Sequence, residues 1–415
     1  MKILHVIAQL PERTGSGVYY KNLVEELKKY DYEQAALFAA QDDFVFDVLE
    51  SAAQHPVRFK SERLPFPIVG MSDVMPYENT VYSKMDESML QAWREVFKEK
   101  LLHAKEVFQP DVVILHHLWM LTSIAADVLD SQVRIAVCHN TDIRQAEQHP
   151  DMKREYVTNL GMLDAVFALS DCQQQKIADV FGVEKSKIIT IGGGFNQKLF
   201  YPPVSKKKNA KVELVFSAKI AQSKGVFELV KAFRKISQSR PNLHLDIIGT
   251  PNEENAQVLK TLIGDADNIT VVPITSQKIL ADYIRGKDIF VMPSYFEGLG
   301  LMAIECLACR LRVVSTEVEA LMSLLGEKVD NSGVIEFVKL PRIYDTDKPY
   351  EDDIEQFVED LSAKLLVQID RIERNEPFTD EILSEINKLS WNGIASKINN
   401  VILHLVAQQH ARARE

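Results

Sequence analysis

The sequence predicts an α/β protein made of two doubly wound parallel-sheet domains, and three observations carry that prediction. Short apolar runs, each followed by a turn and then by apolar residues at helical spacing, recur along the chain, as buried parallel strands joined by helices require. The pattern pauses in a charged, strand-poor stretch at 205–211 and restarts at Val212. At 415 residues and 46% hydrophobic content, the chain is long enough to give each half its own core.

The first half opens with Met1-Lys2-Ile3-Leu4-His5-Val6-Ile7, a buried strand. Thr14-Gly15-Ser16-Gly17 then leads into an amphipathic helix through Tyr20, Leu23, Val24 and Leu27. Gly15 and Gly17 allow a close backbone approach to a ligand at that helix start. Residues 56–86, with Pro65, Pro67, Pro76, Tyr77 and Tyr82, lack periodicity and exceed an ordinary connection. They read equally as an acceptor-side loop and as a structural excursion. Further strands end in His116-His117 and in His139-Asn140, and side chains at the carboxyl ends of parallel strands line the cleft of an open sheet. No carboxylate or cysteine completes a familiar ligand spacing with these histidines, so no metal is expected.

The second half contains strands at 212–218, 243–249 and 269–274, and a strand at 287–294 that ends at Pro293. The first of these runs into Lys219-Ile220-Ala221-Gln222-Ser223-Lys224-Gly225 and a helix through Phe227, Leu229, Val230 and Phe233. The last runs into Glu297-Gly298-Leu299-Gly300 and a helix whose Leu301, Ile304, Glu305 and Ala308 recur at helical spacing. A strand, a glycine turn and a helix aim free N–H groups at a bound anion, so this is a phosphate site. Glu297 and Glu305 stand where carboxylates accept hydrogen bonds from hydroxyls on either side of a diphosphate. The reading is a nucleotide-sugar site. Residues 345–389 are charged and helical in style, and Trp391 begins an amphipathic run through Ile394, Ile398, Val401, Ile402 and Leu405.

The passage Pro293-Ser294-Tyr295-Phe296-Glu297-Gly298, together with Glu305, resembles the donor-site motif of retaining glycosyltransferases of the GT-B fold, family 4 in particular. The resemblance implies two Rossmann-like domains facing across a cleft. Residues 1–195 form the acceptor side, 196–390 bind the donor, and 391–415 supply a helix that crosses back to the first domain. Donor contacts then fall to Gly15, Gly17, Lys219, Lys224, Pro273, Ile274, Glu297, Gly298, Leu299, Gly300, Leu301 and Glu305. Lys219 and Lys224 clasp the diphosphate, Glu297 holds sugar hydroxyls and Glu305 the ribose. Pro273 and Ile274 belong to the base-binding loop. His139 touches a sugar hydroxyl near the anomeric carbon, and His116, His117 and Asn140 lie on the acceptor side. His139, Lys219, Lys224 and Glu297 make up the catalytic set, and the leaving phosphate takes the acceptor proton.

Two positions depart from the family pattern. Lys219 stands where arginine is usual, which keeps the charge and loses the bidentate fork. Arg310 stands where glycine is usual, so the helix over 301–309 is expected to end differently, since arginine adopts a left-handed conformation only with strain.

The implied reaction moves a hexose or N-acetylhexosamine from a nucleotide diphosphate sugar to a hydroxyl of a glycan, lipid or protein acceptor in cell-surface polysaccharide, glycolipid or glycoprotein synthesis. UDP is favoured over GDP as the donor nucleotide. No cofactor and no metal are expected, because lysines and a helix N-terminus neutralise the leaving group. Three rival readings share the two-domain plan: a non-catalytic homologue serving as a sugar-binding partner subunit, a nucleotide-sugar epimerase and a phosphorylase. Retention of Glu297, Glu305 and Lys224 argues against the first.

Net charge is −11, and residues 1–195 carry 20 Lys and Arg against 28 Asp and Glu, compared with 28 against 31 in residues 196–415. The more acidic half is the one expected to meet the acceptor, which argues against nucleic acid and does not indicate docking on an anionic membrane, although peripheral contact stays open. Four cysteines make no disulfide framework in so large a chain, and Cys306 and Cys309 read as packing residues. With no apolar run of membrane-spanning length and no signal peptide, a cytoplasmic location is expected.

Overall fold

The computed structural model describes residues 1–204, 210–274, 276–345 and 347–412. Residues 205–209 of the expected charged junction lie outside the described residues. The chain divides into two compact units, Met1–Gly193 with Trp391–Glu415, and Gly194–Ser390.

The first unit holds a seven-stranded, all-parallel sheet of β1 (Lys2–Ile7), β2 (Glu33–Ala40), β3 (Gln54–Arg58), β4 (Val112–His116), β5 (Val133–Val137), β6 (Ala165–Ala168) and β7 (Ile188–Thr190), in the order β3-β2-β1-β4-β5-β6-β7. Its helices are α1 (Gly15–Leu27), α2 (Glu87–Phe108), α3 (Met120–Val128), α4 (Thr141–Gln148), α5 (Pro150–Tyr156) and α6 (Asp171–Phe181). α2 shows why these segments fold as they do. Leu90, Trp93, Phe97, Leu101, Ala104 and Phe108 recur every three or four residues and are buried, and Asp86 caps the first turn by accepting from the Met89 N–H at 2.9 Å. Burying side chains the size of Trp93 and Phe97 contributes about 1.5–3 kcal/mol each. The strand order reverses between β1 and β4, which opens a crevice at their carboxyl ends.

Residues 56–86 are largely structural. Their first residues belong to edge strand β3, a short parallel ribbon pairs Val69–Gly70 with Thr80–Val81, and Phe59, Leu64, Ile68, Val69, Met71, Tyr82 and Met85 join the core. The missing periodicity reflects loops that bury single side chains at irregular intervals.

The second unit holds a six-stranded, all-parallel sheet of β8 (Val212–Ser217), β9 (Leu243–Ile248), β10 (Ile269–Val272), β11 (Ile289–Met292), β12 (Arg312–Thr316) and β13 (Ile335–Val338), in the order β10-β9-β8-β11-β12-β13. Around it lie α7 (Val226–Ser237), α8 (Glu253–Ile263), α9 (Gln277–Ile284), α10 (Leu301–Ala308), α11 (Glu319–Asp330), α12 (Glu351–Glu373) and α13 (Asp380–Asn387). Phe227, Val230 and Phe233 of α7 share one core with Phe357, Leu361 and Leu365 of α12. Cys306 and Cys309 are buried, unbonded thiols in the other core of this unit. The order again reverses between β8 and β11, so the loops over 218–225 and 293–300 leave the sheet side by side.

α10 ends at Ala308, and Arg310 does adopt the left-handed conformation, with φ 62°. The expectation of a different helix ending is therefore corrected: the chain takes the turn glycine would take, at the cost of Cβ strain. The chain returns to the first unit as α14 (Trp391–Arg412), where Trp391, Ile394, Ile398 and Ile402 are buried and Asn399 Oδ1 accepts from the Tyr32 hydroxyl at 2.5 Å. Among the described residues, no helix is long and apolar enough to cross a membrane.

Candidate functional site

In the second unit, the two loops at the sheet reversal are tied together. The Tyr295 N–H donates to Ser223 O at 2.9 Å, and Gly225 takes φ 65° at the start of α7. A Cβ on Gly225 would lie 2.0 Å from Pro293 O, so only glycine lets the loops approach this closely. Lys224 Nζ then donates to Glu297 Oε1 at 2.8 Å and to Phe296 O at 3.3 Å.

α10 opens at Gly300, whose φ of 67° is left-handed, and no side chain caps its first turn. Gly298 is exposed, with open space where a Cβ would point. Leu299 and Leu301 are half-buried around Gly300. Glu305, one turn into α10, is half-buried and has no hydrogen-bond or ion-pair partner among the described residues; burial pushes its pKa up from 4.5 to about 8. Lys219 is exposed and unpaired among the described residues. Pro273 is exposed just past β10, while Ile274 packs against the core, and Thr275 lies outside the described residues. The structure thus joins Lys224 to Glu297, and among the described residues neither Lys219 nor Glu305 forms a hydrogen bond or ion pair with them.

In the first unit, the ends of β4 and β5 carry a buried histidine cluster. His116 Nδ1 lies 3.1 Å from His139 Nε2, with the two rings stacked at 5.3 Å between centroids. His117 Nδ1 lies 2.6 Å from Asp142 Oδ1, and Asp142 Oδ2 accepts from the Leu118 and His139 N–H groups at 2.8 and 3.1 Å. Burial acts to raise the Asp142 pKa, but His117, His139 and the Leu118 N–H outweigh it and bring it down to about 2. Burial lowers His5 to about 4 and holds His116 well below 6.5; burial and the adjacent His117 lower His139 to about 3. His5, His116 and His139 are therefore neutral at neutral pH.

One expectation for this side needs correction. His116 and His117 are only 2% and 3% exposed, so they form the packing behind His139 and not an open acceptor surface. Asn140 is exposed, but its Oδ1 accepts from Gln173 Nε2 at 2.7 Å. Gly17 is required by its own loop: a Cβ there would lie 2.7 Å from Leu10 O, and its N–H is bound by Thr14 Oγ1 at 3.0 Å. Gly15 has open space where a Cβ would point.

Asp142, Gly225 and Ser223 escaped the sequence reading. The His139-x-x-Asp142 spacing, one helical turn at the start of α4, was the available signal for the first, and the glycine after Lys224 for the second. Among the described residues, Glu213, His244 and Asp246 could present ligand atoms within 4.8 Å of one another. Their cation is already present, since Lys287 Nζ pairs with Asp246 and lies 3.0 Å from Glu213 Oε2.

Residues 197–341 match the family model described as glycosyl transferases group 1. The D-inositol 3-phosphate glycosyltransferase of Pseudarthrobacter chlorophenolicus is 28% identical over 192 residues, 43% of this chain and 46% of that protein. The match thus spans about half the length of the curated relative. Among solved structures, the sucrose-phosphate synthase of Thermosynechococcus elongatus aligns with a TM-score of 0.64 at 17% identity, covering 98% of this chain and 100% of the other. A pneumococcal O-GlcNAc transferase in complex with UDP and GlcNAc aligns at 0.61 and 13%, covering 98% and 99%. At these identities the likeness is one of fold. Residues 197–341 thus resemble the glycosyl transferases group 1 family, in a chain whose two parallel-sheet units have the GT-B fold.

Proposed function

We propose that the chain is a retaining, metal-independent glycosyltransferase of family 4 type that moves a hexose or N-acetylhexosamine from a nucleotide diphosphate sugar, UDP-linked in preference to GDP-linked, to an acceptor hydroxyl. The acceptor is a glycan, lipid or protein of cell-surface polysaccharide, glycolipid or glycoprotein synthesis. The observation that carries this reading is the meeting of Lys224 and Glu297 at 2.8 Å beside the uncapped start of α10. A cation, free N–H groups and a carboxylate in one place suit a diphosphate with hydroxyls beside it.

Departure of the diphosphate is the main barrier, so positive groups act where negative charge develops. Lys219, Lys224 and the N–H groups from Gly298 to Leu301 supply them. Glu297, released from Lys224, takes sugar hydroxyls, and Glu305 takes the ribose. His139 binds a sugar hydroxyl near the anomeric carbon, and the departing phosphate takes the acceptor proton. The test is incubation with a panel of nucleotide sugars, with and without added acceptors, measuring free nucleoside diphosphate and the product's anomeric configuration. Acceptor-dependent release with retained configuration supports the reading. Interconversion of the nucleotide sugar without an acceptor would replace it by the epimerase reading.

A further inference from the structure

We infer that His116 is a positioning residue that fixes the tautomer of His139, so that His139 presents Nδ1–H as a hydrogen-bond donor. The inference rests on the reading of His139 as a sugar-contact residue, and it follows from accounting for the ring nitrogens of His116 and His139.

One proton lies between His116 Nδ1 and His139 Nε2, which are 3.1 Å apart. If His139 donated it, His116 would carry its own proton on Nε2. That atom is enclosed and has no hydrogen-bond partner among the described residues. No nearby group bonds to it: His5 Nδ1 and His117 Nε2 are likewise enclosed without a partner among the described residues, and the others are committed elsewhere. The Tyr20 hydroxyl, on a ring 5.0 Å from His116, donates to His5 O at 3.2 Å. The Tyr19 hydroxyl donates to Gly192 O at 3.3 Å, His5 Nε2 meets Gln34 Oε1 at 2.8 Å, and Asp142 is held by His117, Leu118 and His139 backbone. An enclosed N–H without an acceptor is among the rarest features of folded proteins, whereas an idle lone pair is better tolerated. The proton therefore sits on His116 Nδ1, and the idle Nε2 is a lone pair.

His139 Nε2 is then the acceptor, and the neutral ring carries its proton on Nδ1. Burial, which holds both rings in the neutral form, supports this one-proton description. Among the described residues, His139 Nδ1 has no partner, so it is the nitrogen left for a ligand. Tyr19, edge-on to the ring at 5.2 Å, and the Asp142 bond to the His139 N–H hold the imidazole in place. The consequence is a donor role: His139 gives a hydrogen bond to a ligand oxygen and does not remove a proton from an acceptor hydroxyl.

The test is long-range 1H–15N spectroscopy on protein labelled with 15N-histidine, with the His139 signals identified by their loss in His139→Gln. The expected result is a protonated Nδ1 and an unprotonated Nε2 for both His116 and His139. His116→Phe should shift His139 toward a mixture of tautomers and lower kcat about tenfold with little change in donor KM. His116→Asn, whose amide N–H can stand where Nδ1–H stood, should restore both the tautomer and the rate. A protonated His139 Nε2 in the unmodified protein would overturn the inference, as would an unchanged His139 tautomer in His116→Phe. Full transfer activity in His139→Gln would instead overturn the role given to His139 while leaving the tautomer assignment standing.

Discussion

Lys224 Nζ and Glu297 Oε1 lie 2.8 Å apart, each about three-quarters buried, in an ion pair that joins two loops leaving adjacent parallel strands. Donor binding at this pair is an exchange. The diphosphate competes with the carboxylate for the ammonium, while sugar hydroxyls compete with the ammonium for the carboxylate.

Replacing Lys224 by Ala is expected to reduce kcat far more than donor affinity, because the ammonium matters most once charge has built up on the leaving group. Loss of one such preorganised donor costs about 2.7–4 kcal/mol, or roughly 10²–10³ in rate. Steady-state kinetics with the preferred donor measure it. Unchanged turnover would remove Lys224 from the mechanism.

Glu297→Gln separates function from stability. The pair is partly open to solvent, so its loss should change the folding free energy by no more than about 1 kcal/mol. Transfer should fall at least about tenfold, since an amide accepts less strongly from hydroxyls than a carboxylate does. Urea unfolding and initial rates on one preparation decide between a site role and a purely structural one.

Glu305 carries a pH signature. Its proton is retained from 4.5 up to about 8 in the native state. Between those values the native state binds more protons than the unfolded state, so stability falls as pH rises, with a slope from this group of at most about 1.4 kcal/mol per pH unit. Glu305→Gln should remove that slope, and chemical unfolding between pH 5 and 8 compares the two proteins. If Glu305 grips ribose as a carboxylate, binding of the bare nucleoside diphosphate near neutral pH should release a proton. Calorimetry in buffers of different ionisation enthalpy detects it. Undiminished nucleoside diphosphate binding by Glu305→Ala would assign the residue to structure alone.

Activity is expected to survive a large excess of EDTA, because Lys219, Lys224 and the start of α10 are assigned the charge of the leaving group. Activity abolished by EDTA and recovered with magnesium or manganese would overturn that assignment and, with it, the roles given to both glutamates.

Gly225→Ala should be destabilising out of proportion to its size. A left-handed alanine costs about 1–2 kcal/mol by itself, and its Cβ would press on Pro293 O. Denaturant melts measure the loss; a near-neutral result would mean that the two loops can separate without cost.

Strands, helices and the glycine-opened α10 were legible because apolar runs and helical spacing are local properties of the chain. Glu297 and Lys224 were each legible as candidates, but their ion pair was not, since it depends on the hydrogen bond between Tyr295 and Ser223 that draws the loops together. The same holds for His116 and His117. A histidine at a strand end can face a cleft or a core, and only the packing of Tyr19, Tyr20 and Asp142 around them decides which. Arg310 was legible as an anomaly, although sequence gave no reason why the backbone would accept the left-handed turn there. Residues 56–86 stayed undecided between two readings because their buried side chains come from loops without a repeating period.

The placement of α14 in the first unit has a consequence for biogenesis. That unit begins synthesis before the second and is completed after it, because Trp391 and Asn399 emerge only after the whole of the second unit. At about 5–20 residues per second, the delay is on the order of tens of seconds. During it, Tyr19 lacks the Trp391 ring that meets it edge-on at 4.8 Å, and Tyr32 lacks its partner Asn399. The nascent histidine cluster rests on Tyr19 too, so the second unit can finish folding while the first still waits for its closing helix.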